Sequence, residues 1–289
     1  MYFVFDGKEA RITKDCSFQK MVGTIKIDID IHVTYFKVFL SEKKNFKNSP
    51  LFSLLKSNLQ KQIRRGEKEA VTTAEVMLGM NEFELLRRLS IIAGEDVILS
   101  KETSIIVWYM CAVSKGYILS PVDKEFILSY ILSLTHYPIC RRLEIKKLDL
   151  NSELNLFDIL DSNHPDKEIL TGILFRRYFG GLAGDLPMMS RLCDDFLIST
   201  NRLETLPVYE REKYPLKINN ASIDFHIYPK IITLISNDTK LDPDLIKKTI
   251  WECSSRINFR FNEVTELNEV WEKILPSFSY HSKTYLSKF

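Results

Sequence analysis

A chain of 289 residues that is 45% hydrophobic and 27% charged has the composition of an ordinary folded protein, with room for one large domain or two small ones. Its 40 lysines and arginines against 38 acids leave a net charge of +2, so nucleic-acid binding would need a local patch rather than the overall charge. Cys16, Cys111, Cys140, Cys193 and Cys253 stand far apart with no CxxC pair, which argues against a disulfide scaffold and a zinc site.

That cysteine usage points to a reducing compartment, cytoplasmic or nuclear. The opening MYFVFDGKEA lacks a basic region followed by a long apolar run, so no signal peptide is expected. SIIVWYMCAV at 104–113, the most apolar window, is too short to span a bilayer.

The first 48 residues read as a β-rich segment. YFVFDGKEARIT reads as a hairpin through Asp6-Gly7, and Ile25, Ile27, Ile29, Ile31 and Val33 alternate with polar residues at the period of a half-buried strand. A small antiparallel sheet is expected here. The polar linker SEKKNFKN leads to Ser49-Pro50, a serine cap followed by proline at the first helical position.

Residues 49–140 then read as five helices with short loops. Leu51, Leu55, Leu59 and Ile63 recur at spacing four and Gly66 supplies the stop. Ala70, Ala74, Met77 and Leu78 mark a second helix that ends at Gly79. A third starts near Asn81, buries Leu85, Leu86, Leu89, Ile92 and Ala93, and breaks at Gly94 ahead of Glu95 and Asp96. The fourth, about 102–115, is apolar nearly all round and belongs at the buried centre. A fifth begins at Ser120-Pro121 and buries Val122, Phe126, Ile127, Tyr130, Ile131 and Leu134.

Residues 141–289 form a second, less regular helical region. An irregular connection at 141–155 precedes a helix near 166–179. A tight turn in GGLAGDLPMM follows, then a helix over 187–198. ETLPVYEREKYPLKI at 204–218, with two prolines, is expected to be an extended crossing segment. Helices are expected at 222–235, 242–255 and 263–274, the second started by Asp242-Pro243, and the tail SYHSKTYLSKF is expected to be mobile. The fold class is therefore mainly α.

No GxxxxGK[ST], GxSxG or HExxH motif occurs, so no catalytic residue, metal or cofactor is assigned. Gly180-Gly181-x-x-Gly184-Asp185 follows a helix rather than a strand and reads first as a helix cap and close-packed turn. The alternative is a nucleic-acid backbone lying on its amides beside Arg176 and Arg177, with Tyr178 and Phe179 available for stacking. Asp224-Phe225-His226 with Asp185 would make a metal-dependent nuclease only if the three groups met around a metal.

Basic doublets recur at Arg64-Arg65, Arg87-Arg88, Arg141-Arg142, Lys146-Lys147, Arg176-Arg177 and Lys247-Lys248. Several fall at helix C-termini, where the dipole favours them; arginine pairs also bind phosphates bidentately. Arg64, Arg65, Arg87, Arg141, Arg142, Arg176, Arg177, Lys247 and Lys248 are the candidate nucleic-acid or partner contacts. On the third helix Arg87 points nearly opposite the apolar stripe and Arg88 lies at its flank, so Arg88 is the better placed to reach inward. Arg88, Glu95 and Asp96 are read as a structural ion-pair clamp, the acids accepting from arginines such as Arg64 or Arg65.

Over residues 51–137 the pattern resembles the C-terminal helical module of the replication-associated recombination ATPases, the MgsA/RarA and Werner-interacting group of the clamp-loader clade. The residues that carry the resemblance are Arg64, Arg65 and Gly66, then Leu85, Arg87, Arg88 and Leu89, then Ala93, Glu95, Asp96 and Val97. Ile98 stands where that family usually has glycine, and the ATPase module that precedes the helices in the family has no counterpart here. The resemblance implies a clamp-loader-collar-like bundle that mediates tetramer assembly and acts at replication forks, without ATP hydrolysis. The expected function is a non-catalytic DNA replication or repair accessory that oligomerises and contacts single-stranded or forked DNA, or a replication protein. The alternative is a structural or scaffolding protein without DNA binding, of the kind a large DNA virus would use.

Overall fold

The computed structural model describes residues 2–5, 10–13, 24–26, 50–114, 117–137, 162–176, 185–199, 202–222, 228–255 and 266–288. The chain is mainly helical. Among the first 49 residues the description is confined to the backbone of β1 (Tyr2–Phe5), β2 (Ala10–Thr13) and β3 (Thr24–Lys26), paired in the order β2-β1-β3. The expected turn at Asp6-Gly7 and most of the alternating run lie outside the described residues, as do the connection at 141–155 and the glycines at 180–184.

Five helices follow: α1 (Pro50–Arg65), α2 (Ala70–Met80), α3 (Glu82–Asp96), α4 (Lys101–Ser114) and α5 (Pro121–His136). Their ends have local causes. Gly66 takes φ 72°, the left-handed conformation in which a side chain is costly. The Gly66 amide then donates to Ile63 O at 3.0 Å and the Glu67 amide to Gln62 O at 2.8 Å, the paired bonds of a Schellman stop. Asn81 caps α3 by accepting the Glu84 amide at 3.1 Å. Ser120 and Asp123 form a reciprocal capping box at α5, with Pro121 behind it. The Asp123 carboxylate also accepts the hydroxyls of Tyr109 at 2.7 Å and Tyr117 at 2.6 Å, which ties the α4–α5 corner to the start of α5.

Leu59, Ile63, Ala74, Met77, Leu85, Leu89, Ile106 and Ile131 close the core of this bundle. A second core joins Ile91 and Leu99 to α6 (Lys167–Phe175) and α7 (Asp185–Ser199) through Leu170, Ile173, Met189 and Cys193. A third lies within α8 (Tyr228–Thr239), α9 (Pro243–Ile250) and α10 (Asn268–Leu286), built on Ile235, Ile246, Ile274 and Phe278. Asp242 caps α9 by accepting the Asp244 and Leu245 amides at 2.9 and 3.0 Å. After α9 the chain widens into one π-type turn, Trp251–Ser255. Among the described residues no helix is long and apolar enough to cross a membrane.

Four expectations are corrected. Gly94 does not break α3, which continues through it to Asp96; a Cβ there would stand 2.7 Å from Leu192 Cδ1, so the glycine allows α7 to approach closely. Val122 is 77% exposed, while the next residue, Asp123, is the one that turns inward, to the hydroxyls of Tyr109 and Tyr117. The last helix does not stop at 274. It runs through Pro276 to Leu286, taking in most of the expected tail, because Ile274, Phe278 and Ser282 at spacing four continue its buried face. The helix expected to end at 235 runs on to Thr239, while residues 223–227 of its expected start lie outside the described residues, after a 3-10 turn at Asn220–Ser222.

Residues 202–219 cross the bundle without a helix. The segment begins at the start of α4, where Lys101 N donates to Glu204 O at 3.0 Å, and ends beside α1, where Asn58 Oδ1 accepts Asn219 N at 2.9 Å.

Candidate functional site

Arg64, Arg88, Glu95, Asp96 and Asp185, among the charged residues singled out in the sequence, gather where the C-terminal turns of α1 and α3 meet the start of α7. Asp96 closes α3 and is 1% exposed. A carboxylate there opposes the helix dipole and loses its hydration, so it needs donors. Arg64 Nε supplies one at 2.8 Å and Gln60 Nε2 another at 2.8 Å. Glu95 accepts from the same Gln60 amide at 3.0 Å and lies 3.9 Å from Arg64 Nη2. Burial, and then the neighbouring Asp96 charge, raise the Glu95 carboxyl above its usual range; Arg64 and Arg88 work against that rise.

Arg88 enters the network by an indirect route. Its Nη2 donates to Gln60 Oε1, and its Nη1 lies 3.7 Å from Asp185 at the start of α7. Gln60 is therefore the hub: its NH₂ serves both acids and its carbonyl oxygen receives Arg88. The sequence reading missed Gln60. A signal existed, since residue 60 lies one turn before Arg64 on the same face of α1.

The other candidates are placed as follows. Arg64 is 6% exposed and sits 5.9 Å from the ring of Trp251, so it faces inward rather than toward a phosphate. Arg65 donates to Ser254 O and lies 3.8 Å from Glu67. Arg87 pairs with Glu84 at 3.2 Å, and its carbonyl accepts Arg176 Nε at 3.1 Å and Nη2 at 3.0 Å. Arg176 is 2% exposed; burial, with Arg87 close by, lowers its guanidinium to about 10. Lys247 and Lys248 are exposed on the last turn of α9, with Lys248 at 3.8 Å from Glu266. Arg141, Arg142 and Arg177 lie outside the described residues.

Arg64 and Arg176, expected as nucleic-acid or partner contacts, are each buried and bonded to protein oxygens. Arg64, Arg88, Glu95 and Asp96 do come together, through Gln60. Arg87 and Arg176 meet at a main-chain carbonyl. Hydrogen bonds and ion pairs of this network join α1, α3 and α7.

Asp185, part of the nuclease reading, is engaged by Arg88, while Asp224 and His226 lie outside the described residues. Among the described residues no group of three or more His, Cys, Asp or Glu side chains is placed to hold a metal ion. Cys193 and Cys253 are buried thiols, and burial pushes the Cys193 thiol up so that it stays protonated. No protein-family model, no curated protein and no solved structure matches the chain.

Proposed function

We propose that the chain is a non-catalytic scaffolding protein that assembles through its helical bundle. The observation that supports this reading is the internal use of the arginines. Arg64 donates to Asp96, Arg65 to Ser254 O, Arg88 to Gln60 and Arg176 to Arg87 O. A phosphate-binding face needs such donors directed outward. The resemblance to the clamp-loader-clade module supports the same reading, since that module serves assembly in its family.

The test is size-exclusion chromatography with light scattering, run beside a gel-shift titration on single-stranded and forked DNA. A stable oligomer, a tetramer by the resemblance, with no salt-sensitive DNA binding is the expected result. A monomer at all micromolar concentrations sinks it. The second reading, a DNA replication or repair accessory, is favoured by the exposed Lys247-Lys248 pair on α9. Salt-sensitive binding to forked DNA that disappears in a Lys247→Glu/Lys248→Glu chain would put that reading first.

A further inference from the structure

Glu95 and Asp96 follow one another at the C-terminal end of α3 and share one donor, the Gln60 Nε2 amide, at 3.0 and 2.8 Å. The two carboxylates are not equally provided for. Asp96 has a donor on each oxygen, Arg64 Nε on Oδ1 and Gln60 Nε2 on Oδ2, both at 2.8 Å, and is 1% exposed. Among the described residues Glu95 is hydrogen-bonded on Oε2 only; its Oε1 lies 3.9 Å from Arg64 Nη2, beyond hydrogen-bond reach. The Glu95 side chain is 40% exposed, so solvent reaches this carboxylate and not its neighbour.

Charges face Glu95 from each side: Asp96 beside it, Arg64 from α1 and Arg88 from earlier on α3. Arg88 is directed at other acceptors, since its Nη2 donates to Gln60 Oε1 and its Nη1 lies 3.7 Å from Asp185 at the start of α7. Two like charges that share one neutral donor at a helix C-terminus, partly out of water, favour the neutral form of one of them. Protonating Asp96 would sacrifice a hydrogen bond from Arg64 or from Gln60. Protonating Glu95 on Oε1 sacrifices none and weakens only the longer contact with Arg64.

We propose that Glu95 is a proton-binding site of the folded chain, and that the proton it takes on Oε1 from solvent makes the joint between α1, α3 and α7 firmer in acid. With Glu95 neutral its repulsion with Asp96 is gone, and Arg64 and the Gln60 amide serve a single carboxylate charge. The same direction follows from burial and then the Asp96 charge, which raise the Glu95 carboxyl against the pull of Arg64 and Arg88. The unfolded carboxyl titrates at about 4.3, so this stabilising contribution is complete below about pH 4 and is lost as pH rises through the raised folded value. It is independent of the scaffold reading and of the assembly state.

The test is carboxyl NMR on the full chain, isotope-labelled at its glutamates, with the Glu95 signal identified by its loss in a Glu95→Gln chain. The expected midpoint lies above the ordinary glutamate value of about 4.3, and a midpoint at or below that value overturns the proposal. Arg88→Gln removes an opposing cation and is expected to raise the midpoint further; a midpoint left in place overturns the assignment to this cluster. If Arg88→Gln loses helix content by circular dichroism, Gln60→Met, which removes the donor shared by both acids, is judged by the same rise. Urea denaturation supplies a second readout. Glu95→Gln is neutral at every pH, so it is expected to be more stable than the parent at about pH 8 and equal to it at about pH 4. A Glu95→Gln chain less stable than the parent at the higher pH, or a difference that does not change with pH, overturns the claim that the joint is firmer in acid.

Discussion

At the scale of single residues, Asp96 is an almost fully buried charge, 1% exposed. It lies buried at the unfavourable end of a helix dipole and is held by Arg64 and Gln60. Removing either charge leaves the other buried with a weaker partner, Glu95 at 3.9 Å for Arg64 and the neutral Gln60 amide for Asp96. Arg64→Met and Asp96→Leu are each expected to cost about 3–5 kcal/mol in urea denaturation, whereas the double replacement recovers most of that loss. A double variant no more stable than either single one would show that the pair is not the coupled unit. Gly94 makes a different argument. Alanine would gain about 1 kcal/mol in helix propensity, but its Cβ would stand 2.7 Å from a buried Leu192 methyl, an overpacking worth about 1–3 kcal/mol. Gly94→Ala is therefore expected to destabilise the parent chain and to stabilise a Leu192→Ala chain, two signs that thermal melts can separate.

At the scale of elements, the extended segment and α7 carry the predictions. Asn58→Ala leaves Asn219 N–H without its partner and removes one donor from Lys217 O, at an expected cost of about 1–3 kcal/mol. Arg211→Ala breaks only exposed pairs and is expected to cost less than about 1 kcal/mol. Equal losses in denaturation would mean that the main-chain bonds hold the segment no more firmly than its ion pairs. On α7, burial and then the adjacent Asp195 raise the Asp194 carboxyl to about 6. Its folded pKa exceeds the unfolded value of about 3.9, so its contribution to stability is complete below about pH 4 and is lost as pH rises through about 6. Asp194→Asn should therefore raise Tm at pH 8 and leave it nearly unchanged at pH 4. A Tm difference that is the same at both pH values would rule this out.

At the scale of the whole molecule, specific contacts among the described residues join the third core and the crossing segment to the bundle. Arg65 reaches Ser254 O, Arg64 meets the Trp251 ring, and Leu206 carries the crossing segment into the bundle. The crossing segment bonds partners far away in sequence, so its closure entropy is set against hydrogen bonds that are partly exposed. Native-state hydrogen exchange is expected to release the Leu206 and Asn219 amides through a partial opening, while the α4 and α5 core amides exchange only on global unfolding. Exchange of both sets with one denaturant dependence would mean that the segment and the bundle open together.

The five helices of 50–136 were legible because leucine and isoleucine spacing, Gly66, Asn81 and the Ser120-Pro121 start are local signals whose physics acts within one or two turns. The course of 204–218 was legible for a similar reason, since its prolines and charges deny it a helix. Gln60, however, became the hub of the charged network only because α1, α3 and α7 converge on it, and polar periodicity does not reveal which side chain will be enclosed. Gly94 looked like a helix end because glycine's local cost is visible in sequence, while the neighbour that requires it, Leu192, lies 98 positions further on. The sequence alone determined the mainly helical class, the five helices of 50–136 and which charges adjoin helix ends. Tertiary structure decided which of those charges are buried, because desolvation depends on what packs over a residue and not on its neighbours in the chain.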